Sequence, residues 1–85
     1  MSSSTGTIVA INQRSGLFVV QAGGGGFAVF ELMDSIDLAV GDRVSGDLDA
    51  MGDDQLTHLG QGEAFDVYGQ SGPCSLEHAR RLIGA

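Results

Sequence analysis

The chain has 85 residues, 42% hydrophobic and 18% charged, a size and balance that describe one folded domain with a modest core and exclude a disordered polymer. Eleven acidic residues stand against four arginines and no lysine, for a net charge of −7, which repels polyanions at long range and excludes an affinity built mainly on phosphate contacts. The lone Cys74 excludes an internal disulfide and fits a reducing compartment, and Met1–Thr5 lacks a leader's basic and apolar regions, so cytoplasmic residence without a membrane span is expected.

In chain order, Thr7–Ile11 is the first β-branched run, closed by the polar turn Asn12–Gly16. Leu17–Gln21 follows, and the two runs predict an antiparallel hairpin. Gly23–Gly26 looks like a phosphate loop in composition, but such loops lead into a helix N-terminus. Here Phe27–Leu32 follows with strand character, so the four glycines are expected to form a hairpin loop. Met33–Asp37 suits a single turn or loop. Gly41-Asp42 then precedes a fourth strand from Val44 to about Ala50, and Met51–Asp54 turns the chain into a fifth at Gln55–Leu59. Five short strands at this spacing predict a small all-β barrel.

The tail alternates at Glu63–Tyr68, as a sixth strand at a sheet edge would. Ser71-Gly72-Pro73 breaks it. Ser75 is an N-cap candidate for a closing helix with Leu76, Ala79, Leu82 and Ile83 on one face, Glu77 and Arg81 at i,i+4, and Gly84 at C′. So short a helix needs the barrel under its apolar face. The expected organisation is a flexible residues 1–4, a barrel over 5–60 and a strand-and-helix extension over 61–85 packed on it.

The first four strands carry a resemblance. Gly6-Thr7-Ile8-Val9-Ala10-Ile11-Asn12, Ser15-Gly16-Leu17-Phe18-Val19-Val20, the run Phe27–Leu32 and Leu38-Ala39-Val40-Gly41-Asp42-Arg43-Val44 follow in order and spacing the motifs of cold-shock domains. The chain thus resembles that family over about residues 5–60, which implies a five-stranded OB-type barrel. The identities, mostly Gly6, Asn12, Gly16, Leu38, Gly41 and Val44, lie at structural positions. The family binds single-stranded nucleic acid on stacking aromatics backed by lysines. At those positions this chain carries Val9, Ala10, Ile11, Ser15, Leu17 and Val19.

The third strand admits two registers. One points Phe30 outward and buries Glu31, which is costly for an unpaired carboxylate. The other turns Phe30 inward and leaves Phe27, Val29 and Glu31 outward, and it is the one expected here. The binding face would then hold Leu17, Val19 and Val29, an aliphatic patch better suited to proteins than to bases.

Other chemistry is thin. Asp47-x-Asp49-x-Met51-Gly52-Asp53 begins like a calcium loop but fails at its fifth and twelfth positions, Met51 and His58. Cys74 and His78 share a helical spacing yet are two ligands where structural zinc needs four, and no catalytic constellation surrounds them. The expectation is therefore a non-enzymatic module without metal or cofactor, monomeric or homodimeric. It would dock an unidentified protein partner through Leu17, Val19, Val29 and the acidic group Asp47, Asp49, Asp53 and Asp54. The alternative is weak single-strand binding through Arg14, Phe18, Phe30 and Arg43, which needs both phenylalanines to face outward.

Overall fold

The computed structural model describes residues 4–48 and 51–84. Its elements are β1 (Ser4–Asn12), β2 (Leu17–Ala22), β3 (Phe27–Leu32), β4 (Arg43–Gly46), β5 (Gly52–His58), β6 (Glu63–Cys74) and α1 (Leu76–Ile83). The strands close into a barrel in the order β1-β2-β3-β6-β5-β4, with β4 returning to β1.

Each expected strand forms, but the barrel has six strands rather than five, and β6 is not at an edge. The reason lies in strand direction. β2 is antiparallel to β1 and β3 to β2, while β4 is antiparallel to β1 and β5 to β4. β3 and β5 therefore run the same way, and closure between them would need a parallel ladder, the less stable kind. β6 enters between them, antiparallel to both, from Phe27↔Cys74 to Leu32↔Val67 on one side and from Gly52↔Gly69 to His58↔Glu63 on the other. Every ladder is then antiparallel and no edge remains open.

The interior follows the alternation of the strands. Ile8, Phe18, Val20, Phe30, Val44, Leu56, Phe65 and Val67 form one buried cluster. Phe18 and Phe30 stack in it, ring centroids 5.8 Å apart and planes 28° from parallel. Gly6 of β1 is squeezed between neighbours: a Cβ there would lie 2.5 Å from Val20 Cγ1 and 2.8 Å from the Gln21 carbonyl oxygen. Only glycine lets β1 pass at that distance. β4 is shorter than its expected run and stops at Gly46.

Ser75 caps α1, its side chain accepting a hydrogen bond from the His78 amide at 3.2 Å. At the other end Gly84 takes the left-handed conformation, φ 73°, and its N–H donates to the carbonyls of Arg80 and Arg81. Both caps are the expected ones. The expected ion pair between Arg81 and Glu77 forms at 3.5 Å with both side chains largely in solvent, where it contributes little.

Candidate functional site

The outer face of β1, β2 and β3 is where the aliphatic patch was expected to be free. It is covered by α1. Val19 and Val29 are fully buried, together with Ala10 from β1 and Ala79 and Ile83 from the helix, and Leu17, Phe27 and Cys74 pack half-buried around them. The side-chain directions are as expected, but Val19 and Val29 are not accessible to a partner. The cause is local: Cys74 ends β6 beside Phe27, and α1 starts two residues later. The helix thus folds back across β1, β2 and β3, its Ala79 and Ile83 one turn apart on the buried side. Asn12, at the end of β1, clamps it by donating from Nδ2 to the Ile83 carbonyl.

The expected inward register of β3 holds. Phe30 pairs with Phe18 across the β2–β3 ladder and both rings are core. Neither can stack on a base, which removes two of the four contacts of the single-strand alternative. The others, Arg14 in the β1–β2 turn and Arg43 at the start of β4, are exposed, but on a surface without those rings.

The accessible sheet surface is the outer face of β3, β6 and β5. These strands carry five carboxylates. Glu31, Asp53 and Asp66 alternate with the buried side chains and lie on the outer face, while Asp54 and Glu63 share the parity of buried Leu56, Phe65 and Val67. Their one basic residue, His58, is buried. Glu31, Tyr68 and Asp53 are neighbours across the two ladders and form one row. Tyr68 is 42% exposed at its centre. Beside the row Glu31 accepts from the Gln70 amide at 3.2 Å, and Asp66 accepts from Gln55 Nε2 at 2.9 Å. A shallow groove of about 420 Å³ runs between Met33, Asp53, Asp54, Asp66 and Val67. The structure thus brings Asp53 together with Glu31, Asp66 and Tyr68 on one face, which the sequence reading did not group, while Asp54, opposite core Val67, borders the groove beside them. Asp47 is exposed just past β4, outside this row, and Asp49 lies outside the described residues. The alternation Phe65-in, Asp66-out, Val67-in was the available signal for Tyr68, and it needed the knowledge that β6 is central.

A further pair was missed. His58, 5% exposed at the end of β5, lies with Nε2 2.9 Å from Asp42 Oδ2. Its Nδ1 accepts the Gln61 amide at 3.1 Å, so Nδ1 is unprotonated and Nε2 donates to the carboxylate. Asp42 also accepts from the Ala39 amide at 2.9 Å. The His58 bond first, then the Ala39 amide, hold the Asp42 carboxyl below the usual carboxylate range against the opposing effect of burial. The pair fastens the β3–β4 crossover to the end of β5.

Cys74 donates from Sγ to the Phe27 carbonyl at 3.4 Å, and His78 is exposed on α1. Among the described residues no three His, Cys, Asp or Glu side chains are placed to hold a metal ion together, and no helix is long and apolar enough to cross a membrane.

No family model matches this chain, and neither a curated protein nor a solved structure matches it.

Proposed function

We propose that this barrel is a non-enzymatic binding module that docks a basic protein partner on the outer face of β3, β6 and β5. The observation that carries it is the row Glu31–Tyr68–Asp53, a half-exposed aromatic between two carboxylates on strands without accessible basic side chains. Tyrosine at the centre of a surface is a frequent binding anchor, and the surrounding acids steer a cationic partner and favour it over an anionic one. Met33 and Met51, 55% and 64% exposed, add soft apolar side chains in the loops that flank this face. The non-enzymatic part is supported by His58, the best-placed base, whose two ring nitrogens are both engaged within the fold. Cold-shock ancestry on an OB-type barrel remains part of the proposal. In that case the ancestral face has been sealed by α1, and binding has moved around the barrel.

The test is fluorescence anisotropy with two labelled probes, an arginine- and lysine-rich peptide and a single-stranded oligonucleotide, each at low and moderate salt. Saturable, salt-sensitive peptide binding that weakens about fivefold or more in Tyr68→Ala is expected, since anchor truncations cost roughly 1 kcal/mol or more. Oligonucleotide binding without peptide binding overturns the proposal, as does peptide binding that Tyr68→Ala and Asp53→Asn leave untouched.

A further inference from the structure

The two ends of the barrel differ. At one end a hollow of about 310 Å³ is bordered by Ser4, Gly24, Gly26 and the start of β3, with no charged side chain. At the other, the β3–β4 crossover passes over the β1–β2 hairpin and leaves a pocket of about 290 Å³. Buried Phe18 is its floor, and Ile11, Leu32, Ile36 and Leu38, all half-buried and packed on the core, are its walls. The apolar floor and walls are joined by a comparable polar share from Asn12, Gln13 and Asp37, a mixed lining in a pocket just below the usual size of a small-molecule site.

The rim decides the ligand's charge. Asn12 is engaged within the fold, its Nδ2 donating to the Ile83 carbonyl and its Oδ1 accepting from the Arg14 amide. Asp37 is the one charged lining residue. Among the described residues its carboxylate has no hydrogen-bond or ion-pair partner, while its backbone carbonyl accepts from Gln61 Nε2 at 3.4 Å. A free carboxylate therefore stands beside an apolar floor, on a chain of net charge −7 that concentrates cations around itself.

We infer that this pocket is a binding site for a small organic ammonium compound, its compact ring or branched aliphatic body on Phe18 and its ammonium group on Asp37. The volume limits the body to about one ring, because a larger one would displace Ile36 and Leu38 from the core. An anion of the same shape would face Asp37 directly. A neutral analogue would keep the apolar contact and lose the charge-assisted hydrogen bond.

Three probes that share a phenylethyl body test this by amide chemical-shift titration of the full chain: 2-phenylethylammonium, 2-phenylethanol and 3-phenylpropionate. The ammonium compound is expected to saturate with a Kd of about 1 mM or tighter, as befits so small a ligand. Its shifts should centre on Ile11, Phe18 and residues 36–38. The alcohol should bind at least about fivefold more weakly, and the carboxylate should not bind. Asp37→Asn, on an exposed loop, should bring the ammonium compound down to the level of the alcohol. Ile36→Trp, which fills the pocket from its wall, should abolish binding of both. Equal affinity for the three probes, shifts centred at the glycine-bordered end, or ammonium binding unchanged in Asp37→Asn would overturn the inference.

Discussion

Replacing Ile83 by alanine tests whether α1 is a separately removable cover. Ile83 is 2% exposed and, with Ala79, is one of only two helix residues buried against the barrel. Burial of an isoleucine side chain stabilises by about 1.5–3 kcal/mol, and truncation of a packed one to alanine costs about 2–5 kcal/mol. Set against this, an eight-residue helix is marginal on its own, so docking and helix formation occur together. Ala79 has little side chain to contribute, and the Asn12 clamp and the Ser75 cap each add about 1 kcal/mol. The cost of Ile83→Ala therefore approaches or exceeds the whole net docking energy, while the six-stranded barrel is untouched. Native-state hydrogen exchange should show the amides of residues 79–84 losing protection, with those of β3 and β6 keeping theirs. Dye binding to the uncovered Val19 and Val29 surface should rise. Two results would refute this reasoning. In one, the α1 amides stay protected and stability changes by less than about 0.5 kcal/mol. In the other, β3 and β6 open together with α1, which would make the helix part of a single cooperative unit with the barrel.

The remaining predictions concern the barrel. Asp42→Ala leaves the buried His58 Nε2–H without its acceptor and should lower stability by about 1–3 kcal/mol in urea titrations near pH 7. The native carboxyl of Asp42 is held below its unfolded value, so its contribution is complete above about pH 4 and declines as the pH falls through the lowered native value. In Asp42→Asn this part of the acid-induced loss should be missing when unfolding curves are taken down the pH scale. Gly6→Ala should destabilise by about 1–3 kcal/mol by overpacking against Val20 and Gln21, read as a fall in the denaturation midpoint. Phe18→Ala should cost about 3–5 kcal/mol as a core truncation, whereas exposed base-stacking residues would leave stability within about 0.5 kcal/mol.

Local patterns in the sequence reached the centre of each strand, the hairpin loop, the inward phenylalanines and both caps of α1, because each depends on residues a few positions apart. But Gly52–Asp54, expected as a turn, belongs to β5, and residues 71–73, expected as a break, belong to β6. Phe18 and Phe30 are legible since Leu17 and Glu31 beside them must then point outward, and burying Glu31 without a partner is unfavourable. Alternation gives direction and does not say what lies above a face. Val19 and Val29 point outward as expected and are nevertheless buried, because the chain returns with its own helix. The same limit explains β6. The alternation from Glu63 to Tyr68 fits an edge strand and a central one equally well, and the choice follows from strand directions around the closed ring. Asp42 and His58 are 16 residues apart, joined by a turn on one strand and the end of another, and no local spacing marks them as partners.

The covered face and the acidic face belong to one arrangement of charge. Residues 4–48 and 51–74 hold nine of the eleven acids and two of the four arginines, Arg14 and Arg43, while α1 holds Glu77, Arg80 and Arg81. The segment that seals the aliphatic surface is thus the basic one. It sits across β1–β3, while Glu31, Asp53 and Asp66 collect on or beside β6. A partner approaching from the α1 side meets arginines and a closed apolar surface; one approaching from the β6 side meets carboxylates around an exposed tyrosine. Orientation on this barrel follows from where the C-terminal helix docks. A change that frees α1 would both open Val19 and Val29 and carry two of the four arginines away from that side of the barrel. Its effect on a basic partner should then depend on salt, and its effect on an apolar one should not.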